Sequence, residues 1–435
     1  MGELTPQAPR WPSEHADRLR LAEPLTFEFS GRTTSNRFMK APMTEQLCTF
    51  DENNMADNGI PTQLYQRCYE KWGRGGMGMM VTGNIVLYTN ELMFKGDPII
   101  PHDAPFSGER FDAFKAVAAA GKANGALLVA QVNHPGRYSM FVDSPVSASA
   151  ITKPKVKNGP WELTITHAAT QEEISNIIAA FSHAAAYLSE AGFDGVQLHA
   201  AHGFLMASFL DASTNTRTDA YGGSLENRMR FILEVGREIR RVTPPDFILG
   251  IKINSTEFQD TGLVTDEAAV LCRELEKNSF DFVELSGGSI EKGNMFSHVR
   301  ETTRKREAFF LEFAEKIAPK LSKTKVYVTG GFVTAAGMVN ALDTVDGVGL
   351  ARALCDDWEL CRRLLDGEVD GAIRSALNQG DFWQGLMAGN RNMRLVGEYQ
   401  EPKLYWTAEA VEELKLWYEA WASNRGSWKN LTLAK

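Results

Sequence analysis

The chain has 435 residues, of which 43% are hydrophobic and 23% are charged, and its formal net charge is -9. This composition is typical of an ordinary globular protein rather than a disordered or membrane-embedded one. The negative charge argues against a nucleic acid as the partner, because binding the phosphate backbone needs a concentrated positive surface.

The cysteines and the N-terminal segment suggest in which cellular compartment the protein is expected to lie. The five cysteines form no CxxC pair, so we expect free thiols in a reducing, cytoplasmic environment. The N-terminal segment has no apolar core typical of a signal peptide, and no later stretch approaches the ~18 apolar residues of a spanning helix. We therefore expect no membrane partner.

The predicted elements alternate between strands and helices along the chain. Residues 25–38 alternate apolar and polar side chains around a turn at Ser30 and Gly31, which predicts a small hairpin. Eight short apolar runs follow, and their near-continuous apolar character is typical of strands buried on both faces of a parallel sheet. They cover residues 37–43, 78–87, 126–134, 195–202, 247–254, 281–288, 325–332 and 347–354.

Amphipathic stretches between these runs predict helices. The clearest begins at Thr170, where Glu173 completes a capping box. The order favours a (β/α)8 TIM barrel over an open doubly wound sheet. The predicted helices cover residues 61–72, 109–123, 170–192, 225–242, 266–277, 307–318 and 334–342.

Three segments lie outside the repeat and divide the chain. We treat residues 1–24 as an N-terminal arm and residues 25–366 as the barrel, with the hairpin closing its bottom. Residues 133–170 are too long for an ordinary connection and follow strand three, so they predict a lid over the active face. Residues 367–435 form a C-terminal extension with a Trp-rich helix at 407–424, expected to pack against the barrel or a partner subunit.

A G-x-G-x-x-G pattern occurs at Gly73, Gly75 and Gly78. A dinucleotide-binding fingerprint needs a strand before it and a helix after it, whereas this pattern has a predicted helix before it and a strand after it. We interpret it as a tight helix-to-strand turn.

A better phosphate site is divided between "TGGF" (329–332) and "GLARAL" (349–354). Barrels commonly bind phosphate in the loops after strands seven and eight, where glycine amides can approach an anion. Arg352 adds a charged donor. Glycines that merely permit tight turns are the alternative, and the matching barrel positions favour phosphate.

His199 and His202 follow strand four, on the face of the barrel that carries function. As zinc ligands they would need a third protein ligand, and "HAAH" lacks the Glu of an HExxH motif. They could also be packed core residues. We favour a third interpretation, in which both imidazoles donate hydrogen bonds to a substrate oxygen.

The segment "HAAHGFLMASFLDASTNTRTDAYGGSLENRMRF" (199–231) resembles the signature of the old yellow enzyme family of FMN-dependent oxidoreductases. The segments "APMT", "QVNHPGR", "TGGF" and "LAR" support the resemblance, in the order of the family. It covers roughly residues 25–366 and is closer to the bacterial-type branch. Relatives of this branch often associate, so a homo-oligomer is compatible with the resemblance.

The resemblance implies a set of FMN-binding residues. It places three residues along the flavin ring, two at its pyrimidine edge and four at its phosphate. Lys252 would stand beneath N1 and C2=O, where positive charge favours the reduced flavin. The ring residues are Pro42, Met43 and Thr44, the pyrimidine-edge residues Gly83 and Gln131, and the phosphate residues Gly330, Gly331, Ala351 and Arg352.

The resemblance also implies a reaction. NADPH or NADH reduces the flavin, whose N5 then delivers a hydride to an activated C=C bond, while His199 and His202 hydrogen-bond the activating oxygen. Phe204 aligns with the family's usual tyrosine proton donor and has no proton to give. Protonation would then come from water, Tyr138 or Tyr88.

Other functions stay open at this point. The absence of the tyrosine is compatible with net isomerisation or desaturation by the same flavin. A metal-dependent barrel hydrolase using His199 and His202, or a barrel that serves only as a binding scaffold, are the alternatives from other classes. The loops that would select a small-molecule substrate cover residues 133–170, 255–265 and 289–306, and nothing in them identifies it.

Overall fold

The computed structural model describes residues 8–150, 165–256, 265–287, 311–378 and 381–423. Eight parallel strands, β1 to β8, hydrogen-bond in chain order, and β8 pairs with β1 to close the ring. The predicted (β/α)8 barrel is therefore confirmed. The strands are Phe38–Lys40, Met79–Val81, Leu127–Asn133, Gly195–Ala200, Ile248–Thr256, Phe282–Gly287, Lys325–Thr329 and Gly347–Leu350.

A helix follows each strand and covers the outside of the barrel. Thr170 accepts the backbone N–H of Glu173, whose side chain accepts the N–H of Thr170, so the predicted capping box is present. The turn that contains Gly75 and Gly76 joins a helix to β2, as the sequence indicated. Helices α1 to α8 are Gln63–Gly73, Glu109–Lys122, Gln171–Glu190, Leu225–Val242, Thr265–Lys277, Leu311–Ile317, Ala335–Ala341 and Leu360–Leu365.

The N-terminal hairpin closes the bottom of the barrel. Leu25–Thr26 pairs antiparallel with Thr33–Thr34, and Gly31 takes the positive φ of +69° that the turn requires. The ring of Phe27, from the hairpin, packs on the inward-facing ring of Phe282 with centroids 5.8 Å apart. Apolar side chains therefore fill the lower half of the interior.

The inward-facing residues become polar toward the carboxyl ends of the strands. Side chains alternate between the two faces of a strand, so Gln197 and His199 of β4 point to the same side as Gly195. On β6 the same alternation runs from Phe282 at the bottom, through Glu284, to Ser286 at the top. The upper half of the barrel interior is consequently lined by polar side chains, and the lower half is filled by apolar ones.

The C-terminal extension packs against the barrel, as expected. Its two helices are α9 (Phe382–Gly397) and α10 (Ala408–Ser423). The thiol of Cys68 on α1 donates to the carbonyl oxygen of Met393 on α9, 2.9 Å away, and Tyr405 and Leu414 are buried between the two helices. Within the described ranges, no helix combines the length and apolar character needed to cross a bilayer.

The predicted substrate loop 289–306 lies wholly outside the described residues, as do residues 151–164 and 257–264 of the other two loops. The described remainder of the loop after β3 contains a short helical turn at Gly136–Tyr138. It also contributes the strand Val146–Ser147, which pairs with His167–Ala168. The lid stays a prediction.

Candidate active site

One cavity at the carboxyl ends of the strands collects the predicted site residues. All of them except Gly83 line it, although they come from six strands of the barrel and the loops that follow. The lining residues that the sequence singled out are Pro42, Met43, Thr44, Gln131, His199, His202, Phe204, Lys252, Gly330, Gly331, Ala351 and Arg352.

His199 is held as a neutral hydrogen-bond donor. Its Nδ1 accepts the backbone N–H of Ala201 at 3.3 Å, so the ring proton is on Nε2, the remaining nitrogen. Burial lowers the pKa of His199 well below its usual range, and the neighbouring His202 and the charge of Lys252 lower it further. The imidazole is therefore neutral at physiological pH and offers one N–H.

His202 follows at the turn after β4. Its Nε2 lies 3.1 Å from the hydroxyl oxygen of Ser286 on β6, and its backbone N–H donates to Asn254 on β5. The backbone has a φ of +62°, a left-handed conformation that is uncommon for a residue with a side chain. Burial also lowers the pKa of His202 well below its usual range.

The two imidazole rings meet edge-on with centroids 5.2 Å apart. Within the described part of the chain, no third histidine, cysteine or carboxylate joins them in a cluster suited to a metal ion. The partners described for the two rings are the backbone amide of Ala201, the hydroxyl of Ser286 and the ring of Phe204.

Phe204 stands beside this pair. It is 4% exposed, and its ring centroid lies 4.5 Å from that of His199. Tyr138 packs on the other side of Phe204 with centroids 5.5 Å apart. Tyr88 instead contacts the rings of His102 and His134 and lines a different cavity. Of the two candidate proton donors, only Tyr138 is next to Phe204 in the structure.

Two buried polar residues that the sequence analysis missed contact residues that line the cavity. Gln197 on β4 and Glu284 on β6 are both fully buried, and they connect Gln131 on β3 to Lys252 on β5 through hydrogen bonds and an ion pair. The sequence offered a signal for both residues, because each is a polar residue within an apolar run. Gln197 lies two positions before His199, and Glu284 lies two positions before Ser286. Alternation puts such residues on the functional face.

The opposite end of the cavity is suited to an anion. Gly330 and Gly331 have φ values of +142° and +78°, conformations that favour glycine, so no side chain covers their backbone there. The guanidinium of Arg352 lies in the same wall. Asp356 is close by, and burial raises its pKa to about 7.

Two predicted flavin contacts have protein partners in the structure. The hydroxyl of Thr44 donates to Oδ1 of the buried Asp97, 2.5 Å away, and burial raises the pKa of Asp97 to about 7. The backbone N–H of Gly83 donates to Oε1 of Glu45 at 2.9 Å. Thr44 still lines the cavity, whereas Gly83 lies behind Glu45, and contact of either residue with a flavin stays a prediction.

Helix α9 supplies a wall of the cavity that sequence reasoning did not foresee. Gly385, Gly389 and Met393, spaced four residues apart, line it together with Leu386 and Asn390. A β-carbon at Gly385 would lie 3.1 Å from Cδ and Nη1 of Arg352. The glycine therefore lets α9 approach the guanidinium closely.

The comparisons with known proteins agree with this geometry. A family model described as the NADH:flavin oxidoreductase / NADH oxidase family matches residues 20–370. The chain is 45% identical over 409 residues to an NADH-dependent flavin oxidoreductase, nadA, of Aspergillus parasiticus, an alignment that covers 93% of this chain and 92% of that protein.

Solved structures show the same fold. An old yellow enzyme homologue from Zymomonas mobilis aligns with a TM-score of 0.65 and 23% identity, over 83% of this chain and 96% of that one. A 2-naphthoyl-CoA reductase in complex with 2-naphthoyl-CoA aligns with a TM-score of 0.74 and 22% identity. That alignment covers 91% of this chain and 58% of the reductase, so this chain spans little more than half of that longer protein.

Proposed function

This chain belongs to the NADH:flavin oxidoreductase / NADH oxidase family and is an FMN-dependent oxidoreductase of the old yellow enzyme type, and from that premise we propose its reaction. The protein uses NADH or NADPH to reduce an activated C=C bond in a small molecule. The bond is conjugated to a carbonyl or nitro group whose oxygen the active site can hold.

The residues present fit FMN. The cavity offers bare glycine backbone and a guanidinium at one end, and Gln131 and Lys252 at the other. The hydroxyl of Thr329, which also lines the cavity, is buried and has no hydrogen-bond partner among the described residues. We assign the phosphate to Gly330, Gly331, Ala351 and Arg352, the pyrimidine edge to Gln131 and Lys252, and the ring to Pro42, Met43 and Thr44.

Bound FMN supplies hydride transfer, first from the nicotinamide and then to the alkene. The protein contributes orientation and charge stabilisation. His199 donates its Nε2–H to the activating oxygen of the substrate. His202 is the second donor, through Nδ1–H, while its Nε2 accepts from the hydroxyl of Ser286. Because both rings are already in place and shielded from water, they stabilise the negative charge that develops on that oxygen at little reorganisation cost.

The observation that carries this proposal is the protonation state and position of His199. A neutral imidazole, whose Nδ1 is occupied by a backbone N–H, presents a single donor at the mouth of a cavity that ends in an anion site. This is the geometry required to activate a conjugated acceptor. The apolar residues Met93 and Phe94, which pack near Phe204, would contact the rest of such a substrate.

Absorbance measurements on the purified protein test the proposal. We expect an absorbance band near ~450 nm that bleaches anaerobically with NADH or NADPH. Enones, nitroalkenes or maleimides should restore the band, and mass spectrometry should find products that are heavier by two hydrogens. A protein without bound flavin, or a reduced flavin that none of these acceptors reoxidises, would contradict the proposal.

A second reaction is favoured by Phe204. Without a phenol at this position, a substrate that has accepted a hydride lacks the usual proton donor and could return electrons to the flavin after rearrangement. Returning the hydride in this way gives net isomerisation. Desaturation would instead transfer two electrons from the substrate to the oxidised flavin, and dioxygen or another electron acceptor would have to reoxidise that flavin. Counting NADH consumed per product molecule separates reduction from isomerisation, because reduction uses one equivalent and isomerisation uses none.

A further inference from the structure

Four buried polar side chains form a continuous chain whose two ends, Gln131 and Lys252, line the cavity. The amide nitrogen of Gln131 donates to the carbonyl oxygen of Gln197 at 2.8 Å, and the amide nitrogen of Gln197 donates to Oε2 of Glu284, also at 2.8 Å. Oε1 of Glu284 lies 3.0 Å from Nζ of Lys252. The four residues occupy adjacent strands, and Gln131 and Gln197, like Lys252 and Glu284, are in register.

The direction of these hydrogen bonds is set by Glu284. A carboxylate paired with a lysine can only accept hydrogen bonds, so Gln197 must turn its NH₂ group toward Glu284. Its carbonyl oxygen then faces Gln131, which must donate its own NH₂ group in turn. The carbonyl oxygen of Gln131 is left for the cavity, where it suits a ligand N–H such as N3–H of a flavin.

Glu284 also reduces the net positive charge beside the cavity. The family resemblance implied that Lys252 places a positive charge beneath N1 and C2=O of the flavin. Its ammonium instead forms an ion pair with a carboxylate that is fully buried. In a water-excluded site a charge at this distance is poorly screened, so the pair presents much less positive field to a ligand than Lys252 alone.

We infer that Glu284 is a positioning residue for the flavin: it fixes Gln131 as a hydrogen-bond acceptor and offsets the charge of Lys252. Glu284 does not line the cavity itself and acts only through its neighbours. The inference rests on the proposed function, because it concerns the residues assigned to the pyrimidine edge of FMN.

Glu284→Gln tests both roles at once. The introduced amide should turn its oxygen toward Lys252, because two donors about 3 Å apart repel each other. Its NH₂ group then faces Gln197, so the side-chain amides of Gln197 and Gln131 must both rotate to exchange their oxygen and nitrogen. As a result, Gln131 presents a donor to the cavity where the flavin needs an acceptor. We expect the dissociation constant of FMN to rise about tenfold and the midpoint potential of the bound flavin to become more positive.

Gln197→Met separates the two roles. It breaks the hydrogen-bond chain but leaves the ion pair between Lys252 and Glu284 intact. We expect weaker FMN binding, by about fivefold, with an unchanged midpoint potential. Glu267→Gln is the matched control, because it removes a partly buried ion pair with Arg228 (2.6 Å) outside the cavity, and it should change neither quantity.

The measurements are FMN titration of the apoprotein, redox titration of the holoprotein and thermal unfolding of each apoprotein. A Glu284→Gln variant that retains wild-type affinity and potential would overturn the inference. Wild-type affinity in Gln197→Met would overturn the hydrogen-bond role even if the first variant fails to fold. Failure of the proposed function is distinct, because it would appear in the wild-type protein, either as absence of bound flavin or as a reduced flavin that none of the acceptors reoxidises.

Discussion

The ring of Phe204 packs against both the ring of His199 and the ring of Tyr138, with centroids 4.5 Å and 5.5 Å away respectively. The ring beside His199 is thus one that cannot donate a proton. Since Tyr138 is 1% exposed and does not appear in the described lining of the cavity, we predict that solvent water, rather than Tyr138, supplies the proton.

Phe204→Tyr should restore a proton donor beside His199. We expect reoxidation of the reduced enzyme by an enone to accelerate at least tenfold, because a positioned general acid typically contributes about 10²-fold or more. Anaerobic stopped-flow with product identification measures the rate and shows any change of product. An unchanged rate and product would mean that protonation does not depend on this position.

Tyr138→Phe is the companion to that experiment. It removes the phenol and keeps the ring that packs on Phe204, so we expect the rate of alkene reduction to stay within about twofold of wild type. A loss of about tenfold or more would identify Tyr138 as the proton donor instead. The solvent deuterium isotope effect, measured on both variants, shows whether proton transfer limits the rate.

His199→Leu should affect the chemistry more than the cofactor. It deletes the Nε2–H donor and retains an apolar side chain of similar bulk, so we expect kcat for alkene reduction to fall by about 10²-fold to 10³-fold. Reduction of the flavin by NADH should change less. His199→Gln, which keeps an N–H, should recover part of the loss, and equal losses in the two variants would argue against a hydrogen-bonding role.

The sequence was most informative where buried strands dictate a pattern. Apolar runs located all eight strands because a parallel sheet covered by helices must be apolar on both faces. The same rule explains why Gln197 and Glu284 could have been found: each is a polar residue within an apolar run, on the inward face. The family signature identified His199 and His202 but gives no information on the partners behind them.

The contribution of α9 could not be predicted. Gly385 and Arg352 are adjacent only because the extension folds back over the barrel, and no local spacing or periodicity connects them. Gly83 shows that a motif can also predict a contact that the structure does not contain. Its position in the family pattern indicated a flavin contact, whereas in the structure its N–H donates to Glu45. Which partner a backbone N–H finds depends on where the surrounding side chains lie, and a sequence motif does not specify their positions.

Gly385→Val should weaken FMN binding. The added side chain would start 3.1 Å from Cδ and Nη1 of Arg352, so either α9 or the guanidinium must move away from the phosphate site. We expect the dissociation constant of FMN to rise about tenfold, equivalent to about 1.4 kcal/mol, while the apoprotein stays folded.

Gly389→Ala is the matched control on the same face of α9. Its β-carbon would lie 3.6 Å from Sγ of Cys355, an ordinary contact, and alanine favours the helix. FMN affinity in this variant should stay within about twofold of wild type, a change of less than about 0.5 kcal/mol. Equal affinities in the two variants would show that α9 does not constrain the phosphate end.

Asp356 should make FMN binding depend on pH. Burial raises the pKa of this carboxyl to about 7, and it lines the cavity near Arg352. A bound phosphate, which carries nearly two negative charges above about pH 6, disfavours the ionised carboxylate and raises its pKa further. The complex therefore binds more protons than the free protein above pH 7, and FMN affinity must fall as the pH rises.

Titration of the apoprotein with FMN at pH 6.5, 7.5 and 8.5 measures this slope, which is at most about tenfold in affinity per pH unit for one proton. Asp356→Asn cannot ionise and can keep its contact with Asn392, so its affinity should be nearly constant from pH 7.5 to 8.5. Glu359→Gln, on the following segment and paired with Arg363, should retain the wild-type slope. A slope that survives in Asp356→Asn would assign the pH dependence to another group, because the phosphate is already ionised over this range.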